Sequence, residues 1–250
     1  MFGKIKFENE LDGIINPFEI VKDVYFIGIY KASTHLVDTG DGLIVIDPGY
    51  NDYLYHVVES IQNLGFNLKD VKYIINTHWH WDHAEATGKL KELTGAKTLI
   101  GRYDSETCKR YFNPDIIVKD GDTLVLGNKK FIFLETPGHT KGTISFFFET
   151  VHNGKVLRIG SFGGAGVKTL MKDKFEFDGA REAFLNSIEK LRKEKVDVFL
   201  GNHVWHNDTF GKAKVLVETG ENLFIDSTLW EKFLNHCIDK YNKVIEGEKE

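Results

Sequence analysis

The residues best suited to chemistry form one short run, Thr77-His78-Trp79-His80-Trp81-Asp82-His83. Three imidazoles and one carboxylate, all of them metal-ligating groups, stand close together in it. On an extended segment His78 and His80 point to the same side, because side chains alternate along a strand. If the chain then turns into a helix, Asp82 and His83 can point back toward the same region. The run therefore predicts a loop that binds two neighbouring metal ions, and a surface loop that is His-rich by chance is the alternative.

Two further histidines, each just beyond a predicted strand, can complete the ligand sets. His139 lies in a Pro-Gly turn after the run Phe131–Glu135, and His203 follows the run Val196–Leu200. A catalytic zinc typically has three protein ligands and an open position for water. Two such sets are provided by His78, His80, Asp82, His83, His139 and His203. His206 competes for the last place, and His203 is preferred because it lies closer to the strand end, where a sheet can hold a site.

The elements that must position these ligands form two strand-rich halves, each with helices. In the first half the predicted strands are Val24–Tyr30, His35–Asp38, Leu43–Asp47 and Val71–Asn76. In the second half they are Thr123–Leu126, Phe131–Glu135, Thr143–Phe148, Lys155–Ile159 and Val196–Leu200. Apolar residues at steps of three and four predict helices over 54–64, 84–93, 180–191 and 229–241. Sheets packed face to face with helices outside would bury all these apolar faces, which predicts an α/β protein with a four-layer αββα sandwich.

Composition predicts a single globular domain over residues 1–250, because no repeat, low-complexity tract or linker interrupts the chain. The net charge of -5 gives no basic surplus, so we expect no nucleic-acid partner. No apolar run approaches the roughly 20 residues that span a bilayer, and the first residues contain no apolar signal core, so we expect no membrane partner. The two cysteines, Cys108 and Cys237, have no paired spacing, which indicates reduced thiols and a cytoplasmic location.

The ordered motifs resemble the metallo-β-lactamase superfamily over roughly residues 20–210. The likeness rests on HxHxDH at 78–83, PGHT at 137–140, His203 after a late strand, and Ile46-Asp47-Pro48-Gly49 in place of the family's IDxG turn. It implies the family's αββα fold and a binuclear site for two Zn²⁺ ions or other divalent transition metals. By that likeness one metal is bound by His78, His80 and His139, and the other by Asp82, His83 and His203. Asp47 is then expected to steady the ligand loop by hydrogen bonding.

One position departs from the glyoxalase-like members of this family. Those members carry an aspartate that bridges both metals, and Ser161 stands at the corresponding place, after Gly160. The serine is similar to the third subclass of true metallo-β-lactamases. It leaves the pocket with one negative charge fewer, so we expect an anionic substrate that Ser161 helps to bind. The alternative alignment makes Asp173 or Asp178 the bridge.

The resemblance implies a hydrolase. Metal binding lowers the pKa of water toward about 7, so metal-bound hydroxide would attack a small ester, lactone, lactam or thioester, with Asp82 as the catalytic proton acceptor. The pattern at Ser161 implies side activity on β-lactams. A metal-binding protein without turnover and a phosphodiesterase of the same superfamily are the alternatives. The open coordination position disfavours the first, and the lack of basic surplus disfavours the second. Substrate identity, native metal and oligomeric state stay open.

Overall fold

The computed structural model describes residues 7–9 and 13–248, and its main feature is a pair of sheets. A short antiparallel pair, β1 (Phe7–Asn9) and β2 (Ile14–Ile15), precedes them. The strands of the first sheet follow chain order: β3 (Phe18–Val21), β4 (Val24–Phe26), β5 (His35–Asp38), β6 (Leu43–Ile46), β7 (Val71–Ile75), β8 (Lys97–Gly101) and β9 (Ile116–Val118). Neighbours are antiparallel from β3 to β6 and parallel from β6 to β9.

The second sheet has five strands, again in chain order. They are β10 (Thr123–Leu126), β11 (Lys129–Glu135), β12 (Ile144–His152), β13 (Lys155–Ser161) and β14 (Val198–Phe199). The first four are antiparallel neighbours, and β14 runs parallel to β13. The α-helices are α1 (Leu54–Asn63), α2 (Trp81–Ala84), α3 (Thr87–Thr94), α4 (Ala180–Leu191), α5 (Thr209–Thr219) and α6 (Thr228–Gly247).

Three buried clusters separate four layers. Along β12, Phe146 and Phe148 lie in the cluster between the sheets, which also contains Ile44 and Ile75 of the first sheet. The intervening Phe147 lies in a second cluster with side chains of α4 and α6, because successive residues of a strand face opposite sides. A third cluster joins the outer face of the first sheet to α1 and α3. The predicted four-layer αββα sandwich is confirmed.

The helix predicted over 84–93 begins later than expected, because α2 ends at Ala84 and α3 spans Thr87–Thr94. The Pro48-Gly49 turn causes the break. The Gly49 N–H and the Asn76 side-chain amide both donate to the His83 carbonyl at the end of α2. The Ala86 N–H in turn donates to the Gly49 carbonyl. These long-range bonds replace part of the helical ladder, so α3 starts anew at Thr87.

Several other boundaries differ from the sequence-based expectations. The strand predicted over Val24–Tyr30 ends at Phe26, and β8, β9 and α5 were not anticipated. Within the described residues, none of the helices combines the length and the apolar character needed to cross a bilayer. The strands that matter most for the site are β7, β11 and β14, because the candidate ligands follow them. β6 and β13 also matter, because Asp47 follows β6 and Ser161 ends β13.

Candidate metal centre

The ligand-rich loop starts where β7 ends and is bent rather than extended. Residues 77–79 form bends, and Asp82 and His83 lie in α2. The expectation of an extended segment is therefore wrong, although the rings of His78 and His80 do converge, with centroids 4.9 Å apart. Because the first turn of α2 begins directly after His80, Asp82 and His83 reach back beside His78, whose ring centroid lies 4.3 Å from that of His83.

Asp47 connects the end of β6 to this loop. Its backbone has a positive φ of 50°, which is uncommon for a residue other than glycine. Its carboxylate accepts hydrogen bonds from the Thr77 N–H (2.7 Å) and the Thr77 hydroxyl (2.6 Å), and it contacts His83 Nδ1 at 3.0 Å. The structure thus brings Asp47 into direct contact with the base of the ligand loop.

His78, His80 and His139 form the first group of potential ligands, with donor atoms that all lie within 4.8 Å of one another. The Nδ1 atom of His80 is only 2.9 Å from Nε2 of His139. His78 Nε2 is buried and has no hydrogen-bond partner among the residues that the structure describes. Burial lowers the pKa of His78, and it lowers that of His139 to about 3. Neutral imidazoles whose ring nitrogens converge on one point are suitable ligands for a metal cation.

Asp82, His83 and His203 form the second group, again with donor atoms within 4.8 Å. Asp82 Oδ2 lies 3.4 Å from His83 Nε2 and 3.7 Å from His203 Nε2. Burial by itself lowers the pKa of His83, but Asp82 and Asp47 raise it to about 10. Burial lowers the pKa of His203 to about 4. The second group therefore contains one charged imidazole that faces two carboxylates.

Each of the five histidines also has a polar contact at the ring nitrogen that faces away from its group. These contacts, 2.7 to 3.0 Å long, join His78 to the Thr77 hydroxyl, His80 to Glu176, His83 to Asp47, His139 to the Gly166 carbonyl and His203 to the Lys31 carbonyl. Metal-ligating histidines in proteins usually donate their second N–H in this way, which fixes the tautomer and the ring orientation. The residues present therefore fit a pair of metal ions.

A sequence profile described as the metallo-beta-lactamase superfamily matches residues 27–203, which is most of the chain. The chain belongs to this superfamily. It is 27% identical over 204 residues to an N-acyl homoserine lactonase of Bacillus cereus, covering 68% of this chain and 80% of the relative. It is 34% identical over 146 residues to a hydroxyacylglutathione hydrolase of Hyphomonas neptunium. That match covers 58% of this chain and 51% of the relative, so it spans about half of that enzyme.

Solved structures of the superfamily match almost the whole chain. The FEZ-1 metallo-beta-lactamase of Legionella gormanii superposes with a TM-score of 0.89 and 25% identity, covering 95% of this chain and 98% of that one. BJP-1 of Bradyrhizobium japonicum, a subclass B3 metallo-beta-lactamase, has a TM-score of 0.88 at 23% identity over 94% and 95% of the two chains, a likeness of fold. The chain is accordingly a metallo-hydrolase with the metallo-β-lactamase fold, and its structure supports the comparison with the third subclass.

Ser161 occupies the last position of β13 in this metallo-β-lactamase fold, and only 2% of the residue is exposed. It is not a member of either ligand group, and neither is Asp173 or Asp178 among the described residues. The loop that follows lies directly on His139: a Cβ atom added to Gly164 or Gly166 would come within 2.8 Å of that side chain. The role of Ser161 toward a substrate stays a prediction.

His206, the competing candidate, lies outside the second group. Its ring packs against those of His203 and Phe233, with centroids 5.1 and 4.9 Å away. The two tryptophans of the motif have different surroundings: Trp79 packs beside a small buried cluster, whereas Trp81 is 53% exposed.

Sequence analysis missed two acidic residues beside the centre. Asp104, in the loop after β8, accepts hydrogen bonds from the Trp79 N–H, the Thr140 hydroxyl and the Gly142 N–H, at 3.1, 2.7 and 2.7 Å. It therefore joins the loop of His80 to the loop of His139, and burial raises its pKa to about 6. Glu176, in the loop before α4, contacts His80. Neither belongs to a motif, so no local signal in the sequence could have identified them.

Proposed function

We propose that this chain is a binuclear zinc hydrolase that cleaves a small ester, lactone, lactam or thioester. The observation that carries the proposal is the pair of adjoining groups, each with three donor atoms within 4.8 Å. Nitrogen and carboxylate oxygen in sets of three are typical of catalytic zinc, and other divalent transition metals accept the same donors. In this proposal His78, His80 and His139 bind one ion, and Asp82, His83 and His203 bind the other.

The bound metals would supply an activated water and stabilise the negative charge that develops on the substrate's carbonyl oxygen. The protein's own residues do the rest. Burial by itself raises the pKa of Asp82, but His83 and His203 lower it overall, so this carboxylate is ionised at neutral pH. Its side chain is 19% exposed, so a solvent molecule can reach it. In this proposal Asp82 is the ionised, solvent-accessible group that accepts a proton as water attacks, while Asp47 holds His83 in place.

The substrate class follows from the names of the relatives. A lactonase and a thioester-cleaving hydroxyacylglutathione hydrolase both break the bond between a carbonyl carbon and a heteroatom. FEZ-1, the structural relative, is a metallo-beta-lactamase. We therefore rank lactones and thioesters first and β-lactams as a side activity. Ser161, in place of a bridging aspartate, supports a preference for anionic substrates. Both cysteines are free thiols, which supports a cytoplasmic location.

A hydrolysis screen tests this proposal. The zinc-loaded protein is assayed against lactones, thioesters and β-lactams, with the metal-stripped protein and the Asp82→Asn variant as controls. We expect turnover of at least one class, a loss of several orders of magnitude in Asp82→Asn, and close to two zinc ions per chain by elemental analysis. Absence of any bound transition metal after reconstitution would refute the proposal, and a near-normal rate in Asp82→Asn would place the chemistry elsewhere.

A further inference from the structure

One loop contacts two of the three ligands of the first group from outside. This loop, residues 162–179, connects β13 to α4 and is referred to here as the 162–179 loop. Near its start, His139 Nδ1 lies 2.8 Å from the Gly166 carbonyl and 3.2 Å from the Thr169 hydroxyl. Near its end, Glu176 Oε1 lies 2.7 Å from His80 Nε2. The loop therefore reaches the outer ring nitrogens of both His139 and His80.

The tautomer of His80 explains why the contact with Glu176 matters. His80 Nδ1 and His139 Nε2 are 2.9 Å apart and face the same point, so both must be unprotonated to bind one metal ion. The proton of His80 is then on Nε2, where it can be donated to Glu176. A hydrogen bond to a carboxylate is stronger than one to a neutral acceptor, and it makes the opposite nitrogen a more basic ligand.

Glu176 is itself held in place by Trp79, the residue between the first two histidines of the motif. The Trp79 indole N–H donates to Glu176 Oε2 at 3.2 Å, so each oxygen of the carboxylate has its own partner. The Arg110 guanidinium lies 4.5 Å from the centre of the Trp79 ring and provides a nearby positive charge. The side chain of Glu176 is only 25% exposed. Trp79 therefore contacts the site through Glu176 as well as packing beside the small buried cluster.

We propose that Glu176 is a positioning residue for the first metal. It orients His80 and makes this ligand more basic by accepting the hydrogen bond of Nε2, while Trp79 fixes the position of the Glu176 carboxylate. The proposal rests on the metal centre of the proposed function. It identifies the 162–179 loop as part of that centre, and it predicts an effect confined to one of the two metal ions, because Glu176 contacts a ligand of the first group alone among the described ligands.

The test compares Glu176→Ala, Glu176→Gln and, as the matched control, Asp173→Asn. Asp173 is an exposed carboxylate of the same loop that belongs to neither ligand group. Zinc affinity is measured by competition with a chromophoric chelator, and cobalt substitution reports each site by its visible spectrum. We expect Glu176→Ala to bind one of the two ions about 10–100-fold more weakly and the other with unchanged affinity. Glu176→Gln, which keeps an acceptor but not the charge, should fall in between, and Asp173→Asn should match the wild type.

The outcomes separate this inference from the proposed function. If the wild-type chain binds no zinc, the metal centre itself is refuted. If the wild type binds two ions and Glu176→Ala binds both with the same affinities, the role of Glu176 is refuted. The same holds if both ions are weakened equally, or if Asp173→Asn has the same effect as Glu176→Ala. Thermal unfolding of the metal-free variants checks that they are folded, and the near-isosteric Glu176→Gln keeps the test decisive if the alanine variant does not fold.

Discussion

The five candidate histidine ligands do not share one protonation state in the metal-free protein. His139 and His203 are neutral at physiological pH, because burial lowers their pKa values to about 3 and about 4. His83 is the exception, since the carboxylates of Asp82 and Asp47 overcome burial and raise its pKa to about 10. A metal ion needs an unprotonated nitrogen, so the second group must lose a proton before it can bind.

Loading the second metal at pH 8 should therefore release close to one proton per chain. The sign follows from the pKa of about 10 for His83, because the ring is charged below that pH and must become neutral on binding. Isothermal titration in buffers of different ionisation enthalpy measures the number of protons released. Release should decrease as the pH rises toward 10. A release of zero at pH 8 would contradict the assignment of His83 as a charged group in the metal-free chain.

Replacing His203 and His206 one at a time should have different effects on metal content. His203 Nε2 faces Asp82, whereas His206 packs against His203 and Phe233. His203→Ala should lose the second zinc ion. His206→Ala should retain two ions and lose roughly 0.5–3 kcal/mol of unfolding free energy, as is typical for a partly buried side chain. Elemental analysis and denaturant titration measure these effects, and the loss of one ion in His206→Ala alone would reverse the assignment.

Ser161→Asp should change substrate preference more than metal binding. An added carboxylate at the end of β13 would supply the negative charge that we expect glyoxalase-like members of the family to carry there. We expect zinc to bind at least as tightly, while kcat/KM for an anionic substrate falls relative to its neutral analogue because like charges repel. Measuring both substrates on both proteins gives the discrimination ratio directly. An unchanged ratio would mean that Ser161 does not face the substrate.

At the scale of elements, the site depends on contacts between loops that are distant in sequence. Asp104 is the clearest case, because three donors from two ligand-bearing loops meet on one buried carboxylate. Asp115 provides a comparison within the same sheet. One of its oxygens accepts hydrogen bonds from the Thr98 N–H, the Thr98 hydroxyl and the Lys91 ammonium. None of these three bonds involves a loop that carries a candidate ligand.

Asp104→Asn should impair catalysis and the first metal site, whereas Asp115→Asn should reduce stability alone. In Asp104→Asn the amide N–H₂ group would face one of the present hydrogen-bond donors. A buried donor that is left without an acceptor lowers the free energy of unfolding by about 1–3 kcal/mol. We expect at least a tenfold loss of kcat/KM in Asp104→Asn and a normal value in Asp115→Asn. Denaturant unfolding of both variants gives their stabilities, so that a loss of kcat/KM can be distinguished from a loss of folded protein. Equal activities would show that Asp104 does not position the loops.

The same contacts explain how far sequence reasoning could reach. Strands His35–Asp38 and Thr123–Leu126 were predicted with their observed bounds, since local alternation and turn residues define them. The break between α2 and α3 could not be predicted, because Gly49 causes it from a distant turn. In the site, the four ligands of the HxHxDH motif could be named because they are close in sequence. Asp104 and Glu176 could not, because their partners are side chains and loops that only the folded sheets bring near.

At the scale of the whole molecule, each ligand group draws on both sheets. In the first group, His78 and His80 follow β7 of the first sheet, and His139 follows β11 of the second. In the second group, Asp82 and His83 come from α2 after β7, and His203 follows β14. Metal ions bound here would link the two halves of the sandwich and stabilise the folded state, by about 2.7 kcal/mol per site at a free metal concentration one hundred times Kd.

This division of the ligands between sheets has a consequence for folding kinetics. The first group needs the loops after β7 and β11 to meet across the docked sheets, and the second group also needs β14 to have joined the second sheet. We therefore expect neither group to form early on the folding pathway. Zinc should therefore slow unfolding in proportion to its stabilisation and leave the refolding rate almost unchanged, since contacts absent from the transition state act on the unfolding limb. Stopped-flow chevrons with and without zinc measure both limbs. A refolding limb that accelerates with zinc would mean that the ligand loops already meet at the folding barrier.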